Sequence, residues 1–199
     1  MILKDVKKEK TTYISLIIVI IISIFFGTFF ITILNDSDKI LLKNEINNFF
    51  ELISSKEFSL SNNLMPNIIN NNIFTIILWI LGLSIIGLPF IICILFYKGF
   101  TLSFTVTSLI YNFKLEGIFI SFIYVFPHLI INLIIYFILS CYSFNLSIKI
   151  LRNILNKENI KIKHELKKYI LILIISIIIL CLTALYETYI LPNIIKLIY

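Results

Sequence analysis

The stretch YISLIIVIIISIFFGTFFITIL, from Tyr13 to Leu34, decides the fold class of this chain. It contains no charged residue in 22 positions, and about 20 apolar helical residues are enough to cross a hydrocarbon layer of ~30 Å. Lys4, Lys7, Lys8 and Lys10 precede it, as in a secretory signal. The run is longer than the about 7–15 residues of such a signal, and no small-x-small cleavage pattern follows it. We therefore predict a retained membrane anchor.

The rest of the chain continues this pattern, because 59% of its 199 residues are hydrophobic and only 14% are charged. Soluble domains have about 45–50% apolar and about 25% charged residues. The composition predicts an all-α fold, a polytopic integral membrane helix bundle with the lipid bilayer as its first partner. Its five predicted transmembrane segments are 13–34, 73–97, a short segment 100–113, 117–146 with a break at Pro127, and 169–191.

The distribution of basic residues predicts how these segments are oriented. Loops rich in Lys and Arg stay in the cytosol. We therefore predict an N-in/C-out topology with cytosolic segments at 1–12 and 147–168, an outer loop at 35–72 and an outer tail at 192–199. In this topology, with Lys98 also on the cytosolic side, 12 of the 17 basic residues face the cytosol. They flank apolar spans instead of alternating with aromatic side chains, so nucleic acid is not expected as a partner.

The third segment is short for a membrane span. Its 14 residues, 100–113, extend only about 21 Å at 1.5 Å per residue, which is less than the hydrocarbon thickness. It either crosses with a tilt or forms a re-entrant pair with 117–146. Lys98-Gly99, directly before it, is predicted to be a cytosolic helix junction. Both alternatives keep this junction on the same side as the basic loop.

The outer loop contains its own helical pattern. Apolar residues recur at helical spacing from Leu42 to Ile53, and Asp36 and Asp38 are favourable at a helix start. We predict an amphipathic helix over Asp38–Ser54 and a polar linker over 59–72. Two roles for this helix remain open: it lies on the membrane or caps the bundle, or it offers a docking face to an extracytoplasmic partner.

Ionisable residues predicted inside the spans are few, and each is costly in lipid. Glu187 and His128 could form an acid/base pair, but they lack a nucleophile or a metal set, and no GxSxG, HExxH or Walker motif is present. The three cysteines have no ligand spacing. We therefore predict no enzyme activity, no catalytic residue and no metal or cofactor. The structural alternative is that Glu187 accepts hydrogen bonds from neighbouring hydroxyls and His128 bonds carbonyls freed by Pro127.

Small residues in the middle of the chain predict close helix packing. Gly99, Ser103 and Thr107 are four residues apart and share one helix face. Small groups on such a face allow two helix backbones to approach each other closely in a membrane. We expect this face to be used for packing, and a bulky change such as Gly99→Leu to weaken assembly.

Three sequence blocks resemble the stage II sporulation protein M family. KGFTLSFT at 98–105 resembles its signature KGFSLGFT, Glu116-Gly117 with PHLI at 127–130 is similar to its central block, and YETYILP at 186–192 is similar to its C-terminal end. The resemblance covers about 82–192. Ser103 replaces a glycine, and His128 an amide residue, that are common in the family. The candidate structural or interaction residues are Lys98, Gly99, Ser103, Thr107, Gly117, Pro127, His128, Glu187 and Pro192.

The resemblance implies a membrane scaffold of endospore formation. Members of the family act in engulfment in the mother-cell septal membrane, with two peptidoglycan-degrading partners, the stage II sporulation proteins D and P. A single alanine and a single arginine in 199 residues indicate an AT-rich genome, as in low-GC Gram-positive bacteria. The alternatives are a small transporter or permease subunit, suggested by the break at Pro127, and an intramembrane enzyme. The oligomeric state stays open.

Overall fold

Every element in the described part of the chain is a helix. The computed structural model describes residues 2–54, 60–156 and 162–193. Long runs of apolar residues form helices because a helix satisfies its own backbone donors and acceptors where lipid offers none. The elements are α1 Ile2–Ile33, α2 Asp36–Ser54, α3 Leu60–Gly82, α4 Gly87–Tyr124, α5 Phe126–Asn156, α6 Ile162–Leu185 and a π-helical turn Tyr186–Ile190.

Five of these helices are long and apolar enough to cross a membrane, which confirms the predicted fold class. The qualifying stretches in the described residues are Lys10–Ile33, Met65–Gly82, Gly87–Ile123, Pro127–Leu155 and Glu165–Asn193. They belong to α1, α3, α4, α5 and α6 with its π-helical turn. Many of their large apolar side chains are exposed, among them Phe25 and Ile33 at 65% and 62%. A bilayer is the environment in which such surfaces are stable.

The second and third predicted segments have the wrong bounds. The span predicted at 73–97 is interrupted at 83–86, where backbone hydrogen bonds from Leu83, Ser84 and Gly87 form tight turns between α3 and α4. Helix α4 then continues through Lys98-Gly99, so the predicted junction there is also wrong. The lysine lies about 17 Å along α4 from Gly87 at 1.5 Å per residue. The predicted short segment 100–113 is thus the second half of a long helix.

The predicted fourth segment, 117–146, is divided between α4 and α5, and the break predicted at Pro127 falls at Val125. Lys114 adopts a non-helical conformation (φ 52°, ψ −122°) that bends α4 sharply. The bend brings Gly117 against the backbone carbonyl of Leu109, where an added Cβ would collide. Helix α5 begins at Phe126, so Pro127 lies in a first helical turn and not in a span interior. Proline is tolerated there because the N–H it lacks would have no partner.

The polar regions are more helical than predicted. The amphipathic helix is confirmed as α2, which begins two residues earlier, at Asp36. Helix α3 begins at Leu60, so the predicted linker 59–72 is wrong from there on. The basic segment 147–168 is helical up to Asn156 and again from Ile162; 157–161 lies outside the described residues. Helical structure continues through 191–193, and the remainder of the predicted tail, 194–199, also lies outside them.

Helix α5 lies at the centre of the bundle. In its most apolar 18 residues 44% are buried, against 22–28% in the corresponding 18 residues of the other four. The larger core cluster surrounds it and includes Leu16, Leu78, Leu95, Tyr136, Leu139 and Leu180. A second cluster lies at the end of the bundle near α2 and consists of Phe50, Leu109, Ile120, Val125 and Leu191. Helix α2 is therefore held to the bundle through α4.

Candidate functional site

Helices α1 and α4 are in contact through small residues. A Cβ built on Gly99 would collide with the hydroxyl of Ser23 on α1. A Cβ built on Gly27 of α1 would collide with the hydroxyl of Ser103 and would lie 2.6 Å from the carbonyl oxygen of Phe100. Each helix thus presents a glycine and a serine four residues apart to the other, a small-xxx-small arrangement.

This seam fixes the orientation of α4. The α1 serine is fully buried and its hydroxyl donates to the carbonyl of Ile20 at 2.7 Å. Aromatic rings flank the seam, with Phe30 at 5.7 Å from Phe100 and at 6.0 Å from Phe104 between ring centroids. Since Gly99 faces α1, the neighbouring Lys98 points about 100° away around α4, toward the interior formed with α3 and α5.

Lys98 lies in an aromatic cradle. Its ammonium nitrogen is 4.3 Å from the ring centroid of Phe74 on α3 and 4.6 Å from that of Tyr136 on α5. The ring of Tyr97 is 6.0 Å away and is stacked on Phe74 at 5.6 Å. Aromatic faces attract cations, and desolvation strengthens that attraction to about 2 kcal/mol or more. The cradle therefore offsets part of the cost of placing a lysine within a span.

Glu187 supplies the opposite charge. Its carboxylate attracts Lys98 electrostatically, and the side chain of Asn71 on α3 interacts with it as well. Glu187 lies in the π-helical turn Tyr186–Ile190, where the N–H of Leu191 donates to the carbonyl of Tyr186. The ring of Pro192 would clash with the carbonyl four residues earlier in a regular α-helix. Widening the helix to a π turn just before this proline avoids that clash.

Polar side chains from α3, α5 and α6 continue the site. The hydroxyl of Tyr136 donates to the carbonyl of Asn71 at 2.5 Å. The amide of Asn67 donates to the hydroxyl of Thr188 at 3.2 Å. Further along α6, the hydroxyl of Thr183 donates to the side-chain oxygen of Asn132 on α5 at 2.7 Å. Together these groups form a polar seam between three apolar helices.

The seam can hold a charged pair in a low-dielectric interior, where such a pair is strong and where either charge alone is costly. Lys98, Glu187, Phe74, Tyr136 and Asn71 are called the Lys98 cluster below. Among the described residues, no three His, Cys, Asp or Glu side chains lie together in a way that could hold a metal ion.

The other candidate residues lie elsewhere. Thr107 is half-buried on α4, two helical turns beyond Gly99. Gly117 lies at the bend that follows Lys114. His128 is 3% exposed near the start of α5. Pro192 is buried two residues beyond the π-helical turn Tyr186–Ile190. The cluster thus brings together only two of the nine candidates, Lys98 and Glu187, while Gly99 and Ser103 meet in the small-residue seam.

Sequence reasoning missed several residues of both sites. Gly27 and Ser23 show a four-residue spacing within the first span that matches the pattern noted on α4. Asn67 and Asn71 were assigned to a linker, although Asn71 and Asn72 directly precede an apolar run. That position is a signal for polar groups carried into a bundle. Nothing in the sequence pattern singled out Tyr136, because one tyrosine in an apolar helix has no distinguishing periodicity.

The geometry defines a class of protein, a polytopic α-helical membrane protein with a partly buried lysine and glutamate between its helices. The family model described as Stage II sporulation protein M matches residues 16–192. The chain therefore belongs to the stage II sporulation protein M family, which the sequence resemblance had indicated. No curated protein and no solved structure showed a significant match to it.

Proposed function

We propose that this protein is a non-enzymatic membrane scaffold that recruits peptidoglycan-degrading partners to the septal membrane during forespore engulfment. Family membership over 16–192 makes it a sporulation-related membrane protein. Recruitment of hydrolases similar to stage II sporulation proteins D and P goes beyond that membership. It is supported by one structural observation, the exposed apolar surface of a helix that packs its opposite face on the bundle.

That helix is α2. Phe50 is 5% exposed and its ring lies 5.8 Å from that of Phe113, directly before the bend of α4. Ile46 packs on the same cluster, and the ammonium of Lys39 lies 5.7 Å from the ring of Tyr111. These contacts hold one face of α2 on the bundle. In the predicted topology α2 lies on the outer side of the membrane, the side of the cell wall.

Other apolar side chains of α2 are exposed and face away from the bundle. Leu41 and Leu52 are 61% and 55% exposed and lie within about 20° of each other around the helix. Phe49 is 38% exposed and adjoins them. An exposed apolar strip on a fixed helix favours a protein partner that covers it. The alternative is that the same strip rests on the lipid surface.

A pair of variants tests this proposal. Leu41→Ser combined with Leu52→Ser removes the strip, and Ile40→Ser is the matched control because Ile40 is also 61% exposed but lies about 100° away. Septal localisation of a fluorescent wall hydrolase is measured in sporulating cells. We expect the double variant to disperse the hydrolase and to block engulfment at normal protein levels, whereas Ile40→Ser retains both.

The result that contradicts recruitment is a hydrolase that stays at the septum in the double variant and in a gene deletion. If instead the double variant releases α2 from the bilayer surface in proteoliposomes while the five spans stay inserted, the strip rests on lipid. As a scaffold, the purified chain in vesicles is expected to release no fragments from isolated peptidoglycan unless a hydrolase is added. Fragment release by the chain alone contradicts a non-enzymatic role.

A transporter or permease subunit is the second candidate function, and the Lys98 cluster is the observation that favours it. Ionisable residues inside spans commonly mark ion or substrate pathways, and Glu187 lies in an irregular helical segment. Uptake into proteoliposomes that disappears in Glu187→Gln while the protein stays folded would favour transport. Normal engulfment in the same variant would separate transport from the scaffold role.

A further inference from the structure

A polar cavity of about 220 Å³ lies at the end of the bundle where α5 ends and α6 begins. Its walls are formed by Tyr13 of α1, by Tyr142, Asn145 and Lys149 of α5, and by Glu165 and Lys168 of α6. Neither the scaffold role nor the Lys98 cluster uses it. In the predicted topology it faces the cytosol.

The floor of the cavity is rigidly built. Tyr169 is 2% exposed, and its hydroxyl lies 2.6 Å from the hydroxyl of Ser143 and donates to the carbonyl of Trp79 at 2.8 Å. The Tyr169 ring is stacked on the Trp79 indole at 5.6 Å. Gly82 allows this close approach, because a Cβ there would lie 2.7 Å from the Ser143 side chain. A preorganised floor keeps the cavity open and limits the ordering entropy that a ligand must overcome.

The charges around the cavity favour an anion. Lys149 forms an ion pair with Glu165 at 3.1 Å, which holds both side chains at the wall. Lys168 is exposed at the rim and makes no ion pair with any residue in the described ranges. The wall therefore carries one positive charge more than negative charges. The hydroxyl of Tyr142 and the amide of Asn145 add hydrogen-bond donors of the kind that bind phosphate oxygens.

The cavity lies at the level of the lipid headgroups. Tyr13 is three residues from the start of the apolar stretch Lys10–Ile33, and Glu165 is the first residue of the last such stretch. Lys149 is six residues before the end of the stretch Pro127–Leu155. Tyrosine is enriched at this depth in membrane proteins. Basic pockets between transmembrane helices on the cytosolic side bind the headgroups of anionic lipids.

We propose that this cavity binds the phosphate headgroup of an anionic phospholipid of the cytosolic leaflet. Lys168 closes over the phosphate, while the Lys149–Glu165 pair fixes the wall that it meets. The bound lipid joins α1, α5 and α6 at one end of the bundle. Anionic lipid therefore stabilises the folded protein by binding to it and not to the unfolded chain.

Thermal unfolding of the purified full-length chain in neutral detergent tests the proposal. Phosphatidylglycerol is titrated in, with phosphatidylcholine and inorganic phosphate as the comparison ligands. The key variant is Lys168→Gln, and Lys167→Gln is its matched control because Lys167 is an exposed neighbour that does not line the cavity. We expect phosphatidylglycerol to raise Tm in a saturable way. Lys168→Gln should weaken the apparent affinity about fivefold, and Lys167→Gln less than about twofold.

Three outcomes overturn the proposal. Equal weakening by both variants means that the lipid responds to surface charge in general. An equal rise of Tm with phosphatidylcholine means that the headgroup charge is not recognised. Inorganic phosphate that reproduces the rise at the same concentration means that the cavity takes free phosphate and not lipid. Because Lys168 is exposed, its replacement leaves the packed floor intact, and unchanged Tm without lipid verifies this.

Discussion

Gly27→Ala should destabilise the bundle, whereas Gly99→Ala should be nearly neutral, although both add one methyl group to the same seam. Alanine is favoured over glycine in a helix by about 1 kcal/mol, so each change begins with the same advantage. The difference comes from what the new Cβ meets on the facing helix.

At Gly27 the obstacle is backbone. The new Cβ would lie 2.6 Å from the carbonyl oxygen of Phe100 and 3.1 Å from the backbone nitrogen of Phe104. Backbone atoms cannot move aside without separating α1 from α4. Overpacking of this kind costs about 1–3 kcal/mol, and we take the upper part of that range because no rotamer relieves it. The expected net loss is about 2 kcal/mol after the helix-propensity advantage.

At Gly99 the obstacle is the end of a side chain. The new Cβ would collide with the hydroxyl of Ser23, while the next atom, the Ser23 Cβ, lies at 3.2 Å. The hydroxyl can rotate away and lose its bond to the carbonyl of Ile20, which costs about 0.5–1 kcal/mol. The propensity advantage offsets this loss, so the net change is within about 0.5 kcal/mol.

Reversible unfolding in mixed micelles, followed by circular dichroism, measures the free energies of unfolding of the three proteins. If both variants lose the same stability, the adverse contacts at the two glycines do not differ as described. If Gly27→Ala is as stable as the wild type, α1 does not approach α4 this closely, and the packing of the seam is refuted.

Three further predictions concern the polar sites and the topology. Lys98→Met should lower the free energy of unfolding, because it leaves Glu187 between the helices without the opposite charge that faces it, and adding Glu187→Gln should recover most of the loss; the same loss in the single and the double variant would show that the two side chains do not interact. Tyr169→Phe should lose about 1–2 kcal/mol, because the hydroxyl bonds to Ser143 and Trp79 are lost, and an unchanged Tm would contradict that. In a cysteine-free background, Asn44→Cys should react with an impermeant thiol reagent in intact cells and Ile86→Cys only after permeabilisation; the reverse pattern would invert the topology.

The fold class was predictable because it depends on hydropathy summed over many residues. A run such as 13–34 is long enough and apolar enough to be read as a membrane span from its hydropathy alone. Five spans and the amphipathic helix α2 follow from the same summation. Boundaries depend instead on single residues. The predicted junction at Lys98 was wrong, whereas the predicted break at Pro127 lies two residues from Val125, which separates α4 from α5.

The candidate site was only partly predictable, since it depends on pairs of residues far apart in sequence. Glu187 was noted as unusual, and Lys98 was noted as a boundary, but their interaction joins residues 89 positions apart. The aromatic cradle adds Phe74 and Tyr136 from two more helices. No periodicity within one helix reveals such a meeting. The small-residue seam was half visible, because Gly99 and Ser103 show the spacing within one helix.

The predicted helix junction at Lys98 was wrong because one isolated lysine was given the same weight as a group of seven basic residues. A lysine at the centre of a span raises the free energy of membrane insertion by about 2.5–3.5 kcal/mol, and each Leu, Ile, Phe or Val lowers it by about 0.3–0.6 kcal/mol. Between Gly87 and Phe113 there are 14 such residues, enough to offset one lysine. The seven basic residues between 149 and 168 would cost about 20 kcal/mol by the same scale, which no neighbouring run offsets. Only the group of basic residues between 149 and 168 constrains the topology. The predicted five crossings therefore remain, although the predicted boundary at Lys98 does not.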